Sequence, residues 1–164
     1  MFQIKSSILS LISIFLVSAC GFQPVYKHDT ANSKSCKNFS VETQGYQEYG
    51  VHLKYRLQDK LNRACINPEQ NYVVNVVIDR SRESVSIQKN REVSRYNTTF
   101  STNYSVTNIT TGKSWRGANN LIGGYDAVAS DYGTYSQGED TTKKLAIESA
   151  DTIALKVLMK LRNN

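Results

Sequence analysis

The sequence predicts an α+β fold: a mostly antiparallel four-stranded sheet with two helices packed on one face, in the order β-α-β-β-β-α. Three patterns predict it. Leu53, Leu57 and Leu61 recur at helical spacing, and Ala146, Ala150, Ile153, Val157 and Leu161 do so again near the end of the chain. Between these stripes lie a β-branched run over residues 72–78 and, from Val93, an unusually regular apolar–polar alternation. A strand, a helix, a run of strands and a closing helix make one layer of sheet with helices on one side.

Ahead of these elements stands an export signal. Lys5 precedes an apolar run over residues 8–17, which ends in small residues. The run is shorter than the ~20 residues of a membrane-spanning helix and is broken by Ser10 and Ser13. Val17-Ser18-Ala19 leads straight into Cys20, and this arrangement resembles the bacterial lipobox. In that class the cysteine thiol takes a diacylglycerol, the signal is cut before it, and the new amine is acylated. Three segments follow from this: 1–19 a lipoprotein signal peptide, 20–35 a lipidated N-terminus and tether, and 36–164 a single domain. Several acyl chains on Cys20 would anchor the chain stably, where one would be marginal. Gly21, in place of an Asp that would commonly hold a lipoprotein at the inner membrane, favours the periplasmic side of the outer membrane.

The domain's elements take shape in chain order. A first strand is expected near residues 36–43, with Phe39 and Val41 on one face. A helix follows over about 46–64, in which Tyr46 and Gly50 extend the leucine stripe backward, and Asn67-Pro68 stops it. The run 72–78 is apolar on both sides of the pleat, as in a central strand, and weakens through Val85 and Ile87. Lys89-Asn90-Arg91 reads as a hairpin turn. Beyond it, Tyr96, Phe100, Tyr104 and Val106 share one face, opposite Arg95, Asn97, Thr99, Ser101, Asn103 and Ser105. A turn at 108–112 leads to a strand over 114–122 that carries the only tryptophan, Trp115. Residues 123–139 have no period and read as a long functional loop. Asp140 or Thr141 then caps the final helix, which reaches about Arg162.

Cysteine usage fits an oxidising compartment. With Cys20 lipidated, Cys36 and Cys65 remain and are expected to pair. A helix lying antiparallel across its preceding strand would bring the two together.

Composition narrows the function. Residues 1–19 hold one charged side chain, Lys5, so the formal net charge of +6 becomes +5 in the mature chain. That sign suits an anionic partner. No Lys/Arg cluster of the length that nucleic acid binding uses is present. Catalytic groups are scarce: the two histidines, His28 and His52, lie in the tether and on the first helix. No zinc-binding His-Glu-x-x-His, phosphate-cradling glycine loop or nucleophile elbow occurs. Neither enzymatic activity nor a cofactor nor a metal is expected. Asn38, Asn97, Asn103 and Asn108 begin Asn-x-Ser/Thr triplets, which in a bacterial lipoprotein are by-products of polar strands. Ten tyrosines against five phenylalanines suit a surface that contacts a partner while staying wettable. Tyr125, Tyr132 and Tyr135, in the long aperiodic stretch, are the partner-interface candidates.

Cys20-Gly21-Phe22-Gln23-Pro24-Val25-Tyr26 resembles the Cys-Gly-Phe-x-Pro-Leu/Val-Tyr start of the LptE family of lipopolysaccharide-assembly lipoproteins, in its α-proteobacterial form. The element order, and the passage from Gly124-Tyr125-Asp126 into the last helix, resemble that family too. The resemblance implies a non-catalytic outer-membrane lipoprotein that plugs and helps assemble an LptD-type β-barrel and binds lipopolysaccharide on its way to the cell surface. Basic residues near a strand turn carry the lipid role in the family. Lys89 and Arg91 match that location, Arg95 adjoins it, and Lys143 and Lys144 are further candidates. Residues 123–139 hold no Lys or Arg, a departure from the family's basic pattern. The alternative is a generic periplasmic lipoprotein acting as an interaction subunit of another envelope or secretion complex.

Overall fold

Phe39 and Val41 alternate with Ser40 and Glu42, and this short amphipathic run forms strand β1, Phe39–Gly45, in the computed structural model, which describes residues 36–87 and 93–163. Gly45 ends the strand at φ 103°, where a Cβ would collide with the Ile78 carbonyl, so only glycine fits the turn. Helix α1, Gln47–Ala64, follows and buries Tyr49, Gly50, Leu53, Leu57 and Leu61 along one stripe. Tyr46 does not join that stripe; it lies just before the helix and is half exposed. Cys65 closes α1 in the left-handed conformation, and Asn67, also at positive φ, precedes Pro68.

Three longer strands follow: β2, Tyr72–Ile87; β3, Val93–Asn108; and β4, Ser114–Asp126. Helix α2, Asp131–Arg162, completes the domain. The strands lie side by side in the order β1-β2-β3-β4. The sheet is mixed rather than purely antiparallel: β2–β3 and β3–β4 are antiparallel, while β1 runs parallel to β2 with Phe39 opposite Tyr72. Helix α1 is the reason. It carries the chain back along the sheet, so the next strand starts at the same end as the last, which parallel neighbours require.

Both helices cover one face of the sheet, α1 over β1 and α2 over β3 and β4. The core is built from Phe39 and Val41, the α1 stripe, alternate residues from Tyr72 to Ile78, Phe100, Tyr104 and Val106, and the inward face of α2. Two polar groups inside it are paired: Thr102 Oγ1 meets Ser149 Oγ at 3.1 Å, and Asn119 Nδ2 donates to the same Ser149 oxygen at 3.3 Å. Arg56 and Lys60 of α1 both reach Asp151 of α2, at 2.8 and 3.0 Å.

Cys36 and Cys65 are joined by a disulfide, their Cα atoms 5.2 Å apart. Asn38 and Asn108, which begin two of the Asn-x-Ser/Thr triplets, are buried. The Asn38 amide donates to the Ile66 carbonyl, and Asn108 Oδ1 accepts from the backbone N–H groups of Thr110 and Thr111.

One further expectation is corrected. Residues 123–139 are not a loop. Strand β4 continues to Asp126, and α2 begins at Asp131, capped by Ser130, whose hydroxyl accepts from the Gly133 N–H at 3.3 Å. The cap is therefore ten residues upstream of Asp140. The first two turns of α2 bury little besides Gly138, so they leave no apolar period in the sequence. Strand β2 is central, as its two-sided apolar run predicts, lying between β1 and β3. Its odd-numbered residues face away from the helices, with Val73 half-buried and Val77 48% exposed. Among the described residues nothing covers that outer face, which carries Ser, Thr and Asn along β3 from Asn97 to Thr107 and a mixed set on β4, from Arg116 to the exposed Ile122.

Candidate functional site

Positions 72, 74, 76 and 78 of β2 all point into the core, and Arg80 and Arg82 continue the same parity past its edge. There they meet the N-terminal turns of α2 and the start of α1. Arg80 Nη1 donates to Tyr49 Oη at 2.8 Å and to Glu139 Oε1 at 3.2 Å, while the Tyr49 hydroxyl donates to Glu139 Oε2. The guanidinium carbon of Arg80 lies 5.3 Å from the centre of the Tyr49 ring. Burial first, and the hydrogen bond to Glu139 second, push the Tyr49 phenol well above its ordinary value, so it stays neutral. Both hydrogen-bonding roles of that hydroxyl are taken inside the fold.

Arg82 is different. Its guanidinium carbon sits 4.8 Å over the Tyr96 ring, which in turn stacks on Tyr125 with centroids 5.5 Å apart. Among the described residues no carboxylate pairs with it. Tyr125 is 6% exposed, and its buried hydroxyl has no hydrogen-bond partner among the described residues. Gly138 of α2 makes room for it: a Cβ there would stand 2.9 Å from the Tyr125 hydroxyl. Arg80, Arg82, Tyr46, Tyr125, Tyr135 and Glu139, with Gly138, line an open cavity of about 330 Å³. Of these groups Arg80 is neutralised by Glu139 and the Tyr125 hydroxyl is buried, so Arg82, exposed and stacked on Tyr96, is the arginine whose charge is open at this cavity.

The structure distributes the sequence-derived candidates unevenly. Cys20, Lys89 and Arg91 lie outside the described residues. Arg95 is exposed and pairs with Asp126 at 3.4 Å. Lys143 is exposed on α2, and Lys144 pairs with Asp140 one turn away at 2.6 Å. Tyr125 belongs to β4 with its ring buried, because its parity on that strand points inward toward α2. Tyr132 and Tyr135, 79% and 59% exposed, stand on the first turns of α2, and Tyr135 reaches the cavity. Arg80, Arg82, Tyr49 and Glu139 escaped the sequence reading. A signal for the arginines was present: charged residues at the core parity of a strand must leave the core or find a partner. Among the described residues, no three His, Cys, Asp or Glu side chains are grouped to hold a metal ion. No described helix is long and apolar enough to cross a membrane.

No protein-family model and no curated protein matches this sequence. Solved structures do match. Rare lipoprotein B from Shewanella oneidensis superposes with a TM-score of 0.60 at 16% identity, over 76% of this chain and 96% of that one. A protein of Caulobacter crescentus CB15 described as a lipoprotein gives 0.59 at 16% identity, over 80% and 95%. At this identity the likeness establishes a shared fold.

Proposed function

We propose that this protein is an outer-membrane lipoprotein, anchored through Cys20, that occupies the lumen of an LptD-type β-barrel, assists its assembly and binds lipopolysaccharide in transit. The observation that carries the reading is the match of the whole domain to two solved lipoproteins, in a chain whose lipobox runs into Cys20-Gly21-Phe22-Gln23-Pro24-Val25-Tyr26. Two features of the fold support it. The uncovered outer face of the sheet is wettable along β3, where Ser, Thr and Asn alternate outward from Asn97 to Thr107, as suits a surface lining an aqueous barrel lumen. The Arg80–Arg82–Tyr125 cavity carries in Arg82 a guanidinium with no carboxylate partner among the described residues, a group that suits lipid A phosphates.

Purification of the tagged protein from detergent-solubilised outer membrane tests the partner. An LptD-type barrel should co-purify, and depletion should leave that barrel misassembled and the envelope permeable to large antibiotics. Co-purification with a different envelope or secretion machine, at normal barrel levels, supports the generic interaction subunit instead. For the lipid, Lys89→Glu with Arg91→Glu is expected to weaken lipopolysaccharide binding without altering the melting temperature. Unchanged binding removes both residues from the site.

A further inference from the structure

A second cavity, of about 650 Å³, opens at the opposite end of the sheet. It lies between the α1–β2 connection, the β3–β4 turn and the last turn of α2. Trp115 and Leu161 give it an apolar wall, and Lys113 and Lys160 stand at its rim, both exposed. Its floor is an amide network. Gln70 Oε1 accepts from the Tyr72 hydroxyl at 2.6 Å and from Asn108 Nδ2 at 2.8 Å, which leaves the Gln70 amide nitrogen with two donors for another partner. The hydroxyls of Thr111 and Ser114 line the same space. Neither lysine has an acidic partner among the described residues.

This is also the end at which the chain enters the domain. Phe39 pairs with Tyr72, whose side chain lines the cavity, and Cys36 is fixed to Cys65 beside it. Sixteen residue steps separate Cys20 from Cys36. Fully extended, they span at most about 55 Å. That reach is enough for a chain anchored at Cys20 to let this cavity meet the bilayer surface.

The geometry points to this cavity as a seat for the headgroup of an anionic, polyol-bearing phospholipid such as phosphatidylglycerol, with the phosphate between Lys113 and Lys160 and the headgroup hydroxyls on Gln70, Thr111 and Ser114. Trp and Lys are the side chains that favour the membrane–water boundary, the ring at headgroup depth and the ammonium groups on its phosphates. The inference rests on the anchored-lipoprotein reading for its orientation. The site's chemistry stands without it.

Trp115 is the only tryptophan and reports on the cavity directly. The full lipidated chain, reconstituted into phosphatidylcholine vesicles with or without phosphatidylglycerol, should show Trp115 quenching by a headgroup-labelled lipid that strengthens with the anionic lipid and weakens with salt. Lys113→Gln with Lys160→Gln should abolish that gain. Each lysine near an anionic surface shifts the docked fraction about fivefold, so the pair should shift it about 25-fold. Equal quenching in both vesicle types, or an unaffected double variant, overturns the proposal. Protection of Trp115 by inorganic phosphate alone to the same extent also overturns it, in favour of a small-anion site. The Cys20→Ser chain, added to the same vesicles with and without the two lysine changes, separates the readings. Anionic-lipid preference that depends on the lysines but not on Cys20 keeps the headgroup site even if the anchor fails.

Discussion

Removing Glu139 should release the first turns of α2 from the sheet. The Arg80 and Glu139 side chains are 17% and 22% exposed, between the limits of an exposed ion pair, worth at most about 1 kcal/mol, and a fully buried one, whose breaking costs about 3–5 kcal/mol. Glu139→Gln strands the Arg80 charge and is expected to cost about 2 kcal/mol. Tyr49→Phe removes the hydroxyl shared by both partners but leaves their 3.2 Å contact, for a cost of about 1.5 kcal/mol. Because the three groups form one network, the double variant should fall short of the sum by about 1 kcal/mol. Urea unfolding reads this as a midpoint lowered by about 1 M for Glu139→Gln at an m-value near 2 kcal/mol/M. Hydrogen exchange should show the loss of protection concentrated in residues 131–139. The alkaline limb adds an independent check. The Tyr49 phenol is raised above its ordinary 10.0. Its contribution is complete below pH 10 and is lost as pH rises further, because the unfolded chain ionises first. Above pH 10 the wild type should therefore lose up to about 1.4 kcal/mol per pH unit more than Tyr49→Phe. A cost below about 0.5 kcal/mol for Glu139→Gln, with unchanged exchange, would refute the view that this trio fastens α2.

Three further outcomes follow from the rest of the fold. Reduction of Cys36–Cys65, or its replacement by serines, frees a link between residues 29 apart in sequence and should cost about 3–4 kcal/mol on the chain-entropy estimate, read by thermal or urea unfolding. Leu57→Ala, in a side chain with no exposed surface between α1 and the sheet, should cost about 2–5 kcal/mol with an unchanged m-value. Hydrogen bonding from Arg56 chiefly, with Lys60 assisting, holds the Asp151 carboxyl below its ordinary range. The stabilisation it gives is present above the usual carboxylate value and fades as pH falls through the depressed one. With a third of that side chain in solvent the amount is about 0.5–1 kcal/mol, and Asp151→Asn should flatten the acid limb by that much.

The core was legible because it is periodic. Leu53, Leu57 and Leu61, the alternation through Phe100, Tyr104 and Val106, and the Ala/Ile/Val stripe of α2 each follow from a helix or strand with one buried face. The features that escaped are those in which geometry overrides period. The start of α2 is held by a cap, a glycine contact and an ion pair, none of which leaves an apolar repeat. The two-sided apolar run of β2 pointed to a central strand, and β2 lies between β1 and β3, yet the run does not reveal that its outer face, with Val77 48% exposed, is uncovered among the described residues. Parity carries information about Arg80 and Arg82, but only the spatial pairing of β2 with β3 brings Tyr96 beneath Arg82.

The two cavities gain their meaning from the length of the sheet between them. Strand β3 runs 16 residues, about 53 Å at the usual rise, from the Tyr96 end to the Asn108 turn. Near the middle, Arg56 and Lys60 are paired with Asp151 across the two helices. Each cavity is lined by at least one cation with no carboxylate partner among the described residues: Arg82 by its tyrosines at one end, Lys113 and Lys160 by Trp115 at the other. An anion bound at one end therefore cannot touch the other, and the ends are free to hold different partners at once. This separation makes the tests above independent: substitutions at Lys113 and Lys160 should leave lipopolysaccharide binding unchanged, and substitutions at Arg82 should leave Trp115 quenching unchanged. A variant at either end that altered both readouts would mean that one ligand spans the domain, and the assignment of separate roles to its two ends would be wrong.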